Sequence, residues 1–116
     1  MRLGIVLVAV SALMGCRAGV AQERPAFHDY WEAIDYARDQ GCEVQPNSSW
    51  ITRAEYCGNR FLILTMRGRE YIFDCVPLSV WRRYRAAASK GTFYNSQLRD
   101  RYRLRLGDTG SLRCAA

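Results

Sequence analysis

The spacing of apolar residues changes along the chain, and each change predicts an element. Residues 1–14 place one early charge, Arg2, before an uncapped run that is apolar on every face. A spanning helix needs roughly twenty apolar residues, and this run has about a dozen. It has the size and order of a secretory signal peptide. From Phe27 to Gln40 the period becomes helical: Phe27, Tyr30, Trp31, Ile34 and Ala37 share one side. Asp29, Glu32, Asp35 and Asp39 lie mostly on the other, with Pro25 just before the stretch and Gly41 just after it. The spacing predicts an amphipathic helix whose aromatic stripe is core. Its acidic face is available to a basic surface elsewhere in the chain.

Pro46-Asn47-Ser48-Ser49 reads as a turn or linker. Three strands are predicted after it. Trp50–Tyr56 is rich in aromatic and β-branched residues, and Phe61–Met66 is apolar on both faces, as a central strand would be. Glu70–Cys75 alternates, with Tyr71 and Phe73 on one face. Turn signals at Cys57–Arg60 and Arg67–Arg69 join them, and such short connections predict an antiparallel meander. A helix is expected from Pro77 to a stop at Gly91, with Val80, Trp81, Tyr84, Ala87 and Ala88 inward. A second short helix is expected over Phe93–Asp100. Arg101–Leu106 alternates with period two; if extended, it places three arginines opposite Tyr102, Leu104 and Leu106. The fold class is α+β: a small three-stranded antiparallel meander covered by helices and preceded by an amphipathic N-terminal helix.

Composition narrows this picture. A length of 116 residues suits one domain. With 49% hydrophobic and 24% charged residues, the chain is not disordered throughout. The formal net charge of +6 is unevenly spread. Residues 24–59 carry three basic and six acidic side chains, whereas residues 60–105 carry eleven basic and three acidic ones.

Two processing sites are consistent with export. Ala18-Gly19-Val20-Ala21 ends in small residues, so a cut after Ala21 would remove residues 1–21; this is the preferred reading. Leu13-Met14-Gly15-Cys16 resembles a bacterial lipobox, which would remove residues 1–15 and leave Cys16 as the lipidation candidate. Either way Cys42, Cys57, Cys75 and Cys114 remain, and four cysteines allow two disulfides in three connectivities. A Cys57–Cys75 bridge is favoured, with Cys42–Cys114 tying the chain ends. Bridges of this kind support a body too small to be held by its core alone. The lack of a Cys-x-x-Cys spacing argues against a zinc site or redox-active pair.

The stretch 48–106 resembles a KTSC domain, the small module named for the C-terminus of some lysyl-tRNA synthetases. The resemblance rests on Ser48-Ser49, the apolar strand 61–66, Gly68–Phe73, and Val76-Pro77 before Val80. It continues through Ala87-Ala88-Ser89-Lys90-Gly91-Thr92-Phe93-Tyr94-Asn95 and Tyr102. The family-motif positions are thus Tyr71, Phe73, Ser89, Lys90, Gly91, Phe93 and Asn95. The family's Tyr-x-Tyr reads Tyr71-Ile72-Phe73 here, so the second hydroxyl is missing. The resemblance implies a single α+β module of uncharacterised activity, with RNA binding suggested by attachment to a synthetase. Residues 22–47 (linker and helix) and the tail 107–116 lie outside it.

Three functional readings follow. The first is an exported, periplasmic or secreted, non-enzymatic binding module. Its basic residues Arg82, Arg83, Arg85, Lys90, Arg99, Arg101, Arg103 and Arg105 would meet an anionic partner, such as an envelope lipid, a glycan or an acidic protein. Alternatively, these cations only solvate the surface. The second reading is single-stranded nucleic-acid binding by charge and by stacking on Tyr71, Phe73, Tyr94 and Tyr102. Export weighs against it, and the same aromatics suit a core. The third is an enzyme. No phosphate loop, nucleophile elbow or paired His and carboxylate spacing supports it, and His28 suits a surface or capping role. No catalytic residue, cofactor or metal is therefore expected, nor a transmembrane helix in the processed chain.

Overall fold

The computed structural model describes residues 22–48, 50–107 and 110–112. The signal-peptide reading of residues 1–21, the lipidation candidate Cys16, Cys114 and much of the tail lie outside the described residues. Among those described, no helix is long and apolar enough to cross a membrane.

The chain forms β1 (Gln22–Arg24), α1 (Tyr30–Asp39), β2 (Cys42–Ser48), β3 (Ile51–Cys57), β4 (Phe61–Met66) and β5 (Arg69–Phe73). There follow α2 (Leu78–Ala86), α3 (Lys90–Phe93), a π-helical turn over Tyr94–Leu98, and β6 (Gly110–Leu112). The α+β class holds. The main sheet has four antiparallel strands in the order β2-β3-β4-β5, rather than three. The extra strand is β2, which includes Pro46 of the expected turn or linker. It is an outer strand, where a proline is tolerated because one edge needs no hydrogen-bond partner. A separate two-stranded ladder joins β1 to β6.

The side chains of β4 show how the layers are built. Leu62, Leu64 and Met66 point into one apolar cluster with Val80, Trp81 and Tyr84 of α2. Phe61 and Ile63 point into a second with Phe27, Ala33, Ile34 and Ala37. A strand apolar on both faces is thus sandwiched between helical layers, as its pattern predicted. On the α2 side, Tyr56, Trp81 and Tyr84 stack with centroids 5.3 and 5.6 Å apart. Burial pushes the Tyr84 hydroxyl up to about 12. Glu43 on β2 accepts a 3.0 Å hydrogen bond from Trp81 Nε1 and pairs with Arg85, so β2 is fastened to α2. These contacts hold its carboxyl below the ordinary range, the Trp81 bond first.

Local signals account for most boundaries. Asp29 caps α1, its Oδ1 accepting the Glu32 N–H at 2.9 Å. His28 is exposed, and its backbone N–H donates to the Glu32 carboxylate at 2.6 Å, the expected surface and capping role. Arg67 and Gly68 close the β4–β5 hairpin with φ of 52° and 81°, the conformation that favours glycine in two-residue hairpin turns.

Three expected elements differ. First, α2 stops at Ala86 rather than Gly91: Ala87 is extended, and Ser89 starts a new helix by accepting the Thr92 N–H at 3.2 Å. Ala88 is exposed as a result. Second, Phe93–Asp100 is divided between the end of α3, the π-helical turn and a turn at Arg99 and Asp100. Third, Arg101–Leu106 makes one bridge, Arg103 to Phe73, instead of a strand. Leu104 is nonetheless buried while Arg101, Arg103 and Arg105 are exposed, so the alternation survives without a ladder.

The disulfide pairing also differs. Cys42 and Cys57 are bonded, with Cα atoms 4.0 Å apart. This overturns the favoured Cys57–Cys75 and Cys42–Cys114 connectivity. The reason is register: Cys42 lies directly opposite Cys57 across the β2–β3 pair. Cys75 is disulfide-bonded too.

Candidate functional site

The expected aromatic stripe of α1 is only partly core. Phe27, Ile34 and Ala37 are buried, but Tyr30 is 49% and Trp31 66% exposed. A ten-residue helix lying on a sheet buries a narrower strip than this sequence makes apolar. The surplus aromatics line a groove of about 470 Å³ beside β5.

This groove straddles the sheet edge. Residues of β5 face its two sides alternately: Ile72 belongs to the cluster on the α1 side, and Phe73 to the cluster on the α2 side. Tyr71, of the same parity as Phe73, is 41% exposed and lies near Tyr94. Burial raises the Tyr94 hydroxyl above its ordinary value. Phe73 and Tyr94 meet with ring centroids 6.1 Å apart. Arg69 and Arg103 complete the lining, both exposed and neither in an ion pair among the described residues.

Two carboxylates also line the groove. Glu70 pairs with Arg38 of α1, and Asp100 lies 3.9 Å from Arg99. Each carries its own counter-charge. The Arg38 guanidinium also binds Glu55, through Nε at 3.1 Å and Nη2 at 2.6 Å. Burial alone would raise the Glu55 carboxyl, but the Arg38 hydrogen bonds and charge outweigh it and hold the group below its ordinary range. Arg38 itself is raised, the Glu55 hydrogen bond leading. Thus the principal ion pairs between α1 and the sheet run from a basic residue of the helix to acidic residues of the strands. The acidic face of α1 was expected to make the opposite kind of contact.

The eight predicted anion-binding residues do not share one environment. Lys90 donates from Nζ to the carbonyls of Arg85 and Ala87 at 2.9 and 2.8 Å, closing the C-terminus of α2. Arg85 is paired with Glu43. Arg83 lies over the Phe93 ring at 5.6 Å and Arg99 sits beside Asp100. Arg82, Arg101, Arg103 and Arg105 are exposed and without ion pairs among the described residues. Of the eight, only Arg103 lines the groove.

The motif positions divide similarly. Tyr71 and Phe73 reach the groove, beside Tyr94, whereas Ser89, Lys90 and Gly91 secure the α2–α3 junction. Gly91 is buried against Trp50, and a Cβ built there would lie 2.6 Å from Trp50 Nε1. Phe93 packs edge-on against Tyr84, and Asn95 is exposed.

No family model and no curated protein matches the chain. Among solved structures, a KTSC domain protein from Yersinia pestis matches with a TM-score of 0.52 and 28% identity. The match covers 57% of this chain and 97% of that one. The fold is KTSC-like. Within it, Tyr71 and Phe73 place the central motif on the edge strand, and the Ser-Lys-Gly run becomes a structural junction. Tyr30, Trp31 and Arg69 were not among the site residues read from the sequence. For Tyr30 and Trp31 the signal was an apolar stripe wider than one short helix can bury; nothing in the local pattern marked Arg69. No cluster of three or more potential metal-ligating side chains occurs among the described residues.

Proposed function

We propose that the chain is an exported, disulfide-braced, non-enzymatic interaction module that binds an anionic partner. The observation carrying this reading is the convergence of exposed aromatics and two arginines without ion pairs among the described residues on the groove beside β5. Guanidinium groups offer paired donors to carboxylate and phosphate oxygens, and aromatics add contact area at little entropic cost. Arg82, Arg101 and Arg105 provide the wider positive field that steers such a partner. Export is supported by the signal-like N-terminus together with the bonded cysteines. The non-enzymatic reading is supported by the sequence, which carries no phosphate loop, nucleophile elbow or paired His and carboxylate spacing.

Binding is to be measured with four probes: heparin, phosphatidylglycerol vesicles, polyglutamate and single-stranded poly-U RNA. Arg69→Glu/Arg103→Glu should reduce binding to the preferred probe at least tenfold, with a nearly unchanged melting temperature. Arg82→Glu/Arg101→Glu should have a smaller, salt-sensitive effect. No binding to any probe, or equal loss in both variants, would refute the groove. RNA as the preferred probe would instead support the nucleic-acid reading. An intact mass from fractionated cells should begin at Gln22 or at acylated Cys16; a full-length cytosolic mass would overturn export.

A further inference from the structure

We infer that the groove beside β5 holds a single amphiphilic anion, with a carboxylate or phosphate head and one short aliphatic tail. This rests on the interaction-module reading and specifies its ligand.

Two chemically different walls make up the groove. The first is basic. The Phe73–Arg103 bridge, with the Asp74 N–H donating to the Tyr102 carbonyl at 2.9 Å, lays residues 102–104 along 72–74. Directly opposed residues of an antiparallel pair share a face, so Arg103 stands on the same side as Phe73. Residues two apart on a strand also share a face, which adds Arg69 and Tyr71. Tyr71 therefore lies between Arg69 and the Phe73–Arg103 pair. Tyr94 belongs to this wall too, since its ring meets Phe73 and it lies near Tyr71. A head group over Tyr71 is approached by a guanidinium from either end.

The second wall is apolar. Ile72 and Leu104 are buried in the cluster on the α1 side, with Ile34. Tyr30 and Trp31 stand exposed beside them. The carboxylate on this wall, Glu70, is bound by Arg38. A tail laid there covers exposed aromatic surface and strips water from no free charge.

Charge and size select the occupant. Arg38 and Arg99 offset Glu70 and Asp100, which leaves the two guanidiniums of Arg69 and Arg103 for a ligand. Paired guanidinium donors suit one carboxylate or phosphate head. The groove volume, about 470 Å³, lies within the range of about 300–1,000 Å³ usual for sites that take one small molecule. A long polyanion carries no tail for the apolar wall.

The probes are alkyl carboxylates and alkyl phosphates of six, eight and ten carbons, below their micellar concentrations. Decyltrimethylammonium is the head-group control. Trp31 is the reporter, being 66% exposed, whereas Trp81 is buried and Trp50 packs on Tyr94. Binding should shift its emission to the blue and raise the melting temperature. Trp31→Phe should silence the shift while calorimetry still records binding. A fully buried methylene is worth about fourfold in affinity, so two added methylenes in an open groove should tighten binding about threefold to tenfold. Arg69→Gln/Arg103→Gln should weaken the ten-carbon anions at least tenfold. Both side chains are exposed, so its melting temperature should stay within about 2 °C of the parent.

Affinity that ignores tail length, or equal binding of decyltrimethylammonium, overturns the inference. So does binding that survives Arg69→Gln/Arg103→Gln, or a melting temperature lowered by the anions, which marks unfolding by a surfactant. If heparin, polyglutamate, RNA or vesicles bind through Arg69 and Arg103 while the monomeric amphiphiles do not, this inference falls and the module reading stands. If nothing binds, both fall.

Discussion

Arg38→Met tests the contact that docks α1 on the sheet. Glu55 is only 3% exposed, whereas Arg38 is 36% exposed and holds both Glu55 oxygens. Removing one partner of a buried ion pair costs about 3–5 kcal/mol, because the remaining charge stays desolvated. Here the cost is smaller. Arg38 is partly solvated, and Arg53 Nε remains 3.4 Å from Glu55. A loss of about 2 kcal/mol is expected, or about 8–16 °C in melting temperature for a body of this size. The pH dependence supplies the sharper signature. In the parent, Glu55 is held below its ordinary value, so its contribution is present above about pH 4.3 and fades as pH falls through the lowered folded value. In Arg38→Met, burial without the guanidinium raises the Glu55 carboxyl, so the folded state binds the proton more readily than the unfolded one. The variant should therefore gain stability as pH falls from 7 to about 5, narrowing its gap to the parent. Arg38→Met/Glu55→Gln should recover about 1 kcal/mol at pH 7, since no bare buried charge remains. Thermal melts at half-unit pH steps suffice. A gap that stays constant between pH 7 and 5, or a double variant as unstable as the single, would refute the argument.

Other substitutions separate structural from binding roles. Gly91→Ala should cost about 1–2 kcal/mol by forcing Trp50 aside, with a changed near-ultraviolet circular dichroism signal; a silent substitution would mean that the Trp50 contact is slack. Lys90→Met should cost about 1 kcal/mol in urea unfolding and leave heparin affinity unchanged, because the ammonium closes α2. A fall in affinity without a fall in stability would return Lys90 to the anion-binding set. Cys42→Ala/Cys57→Ala should cost about 3 kcal/mol in non-reducing denaturant titrations, as expected for bonded residues separated by 15 positions. No change would mean that the β2–β3 register alone closes the loop. A thiol count on the denatured, unreduced 22–116 form should give zero, and two free thiols there would mean that Cys75 has no partner within residues 22–116.

The legible parts of the fold were those whose reason is local. The β4 segment is apolar at every position but one, so it could only be central. Arg67-Gly68 is compatible with the left-handed conformations of a tight hairpin turn, and Pro25 and Gly41 bracket α1. The strand β2 was hidden because an outer strand can be polar and can hold a proline. Its place is fixed by Trp81, Arg85 and Cys57, partners 15 to 42 residues away. The eight cations were counted as one face because sequence shows charge and not neighbours. Tertiary contacts commit Lys90 to two carbonyls and Arg85 to a carboxylate.

By itself, then, the sequence determined the α+β class, the three contiguous strands β3–β5, the helix α1 and the KTSC-like body, since periodicity, turn chemistry and short connections are local. Only the tertiary structure decided the fourth strand, the Cys42–Cys57 pairing and the groove of Trp31, Tyr71, Arg69 and Arg103. These depend on register and on how much of a helix face the sheet can cover, and those quantities exist only once distant segments have packed together.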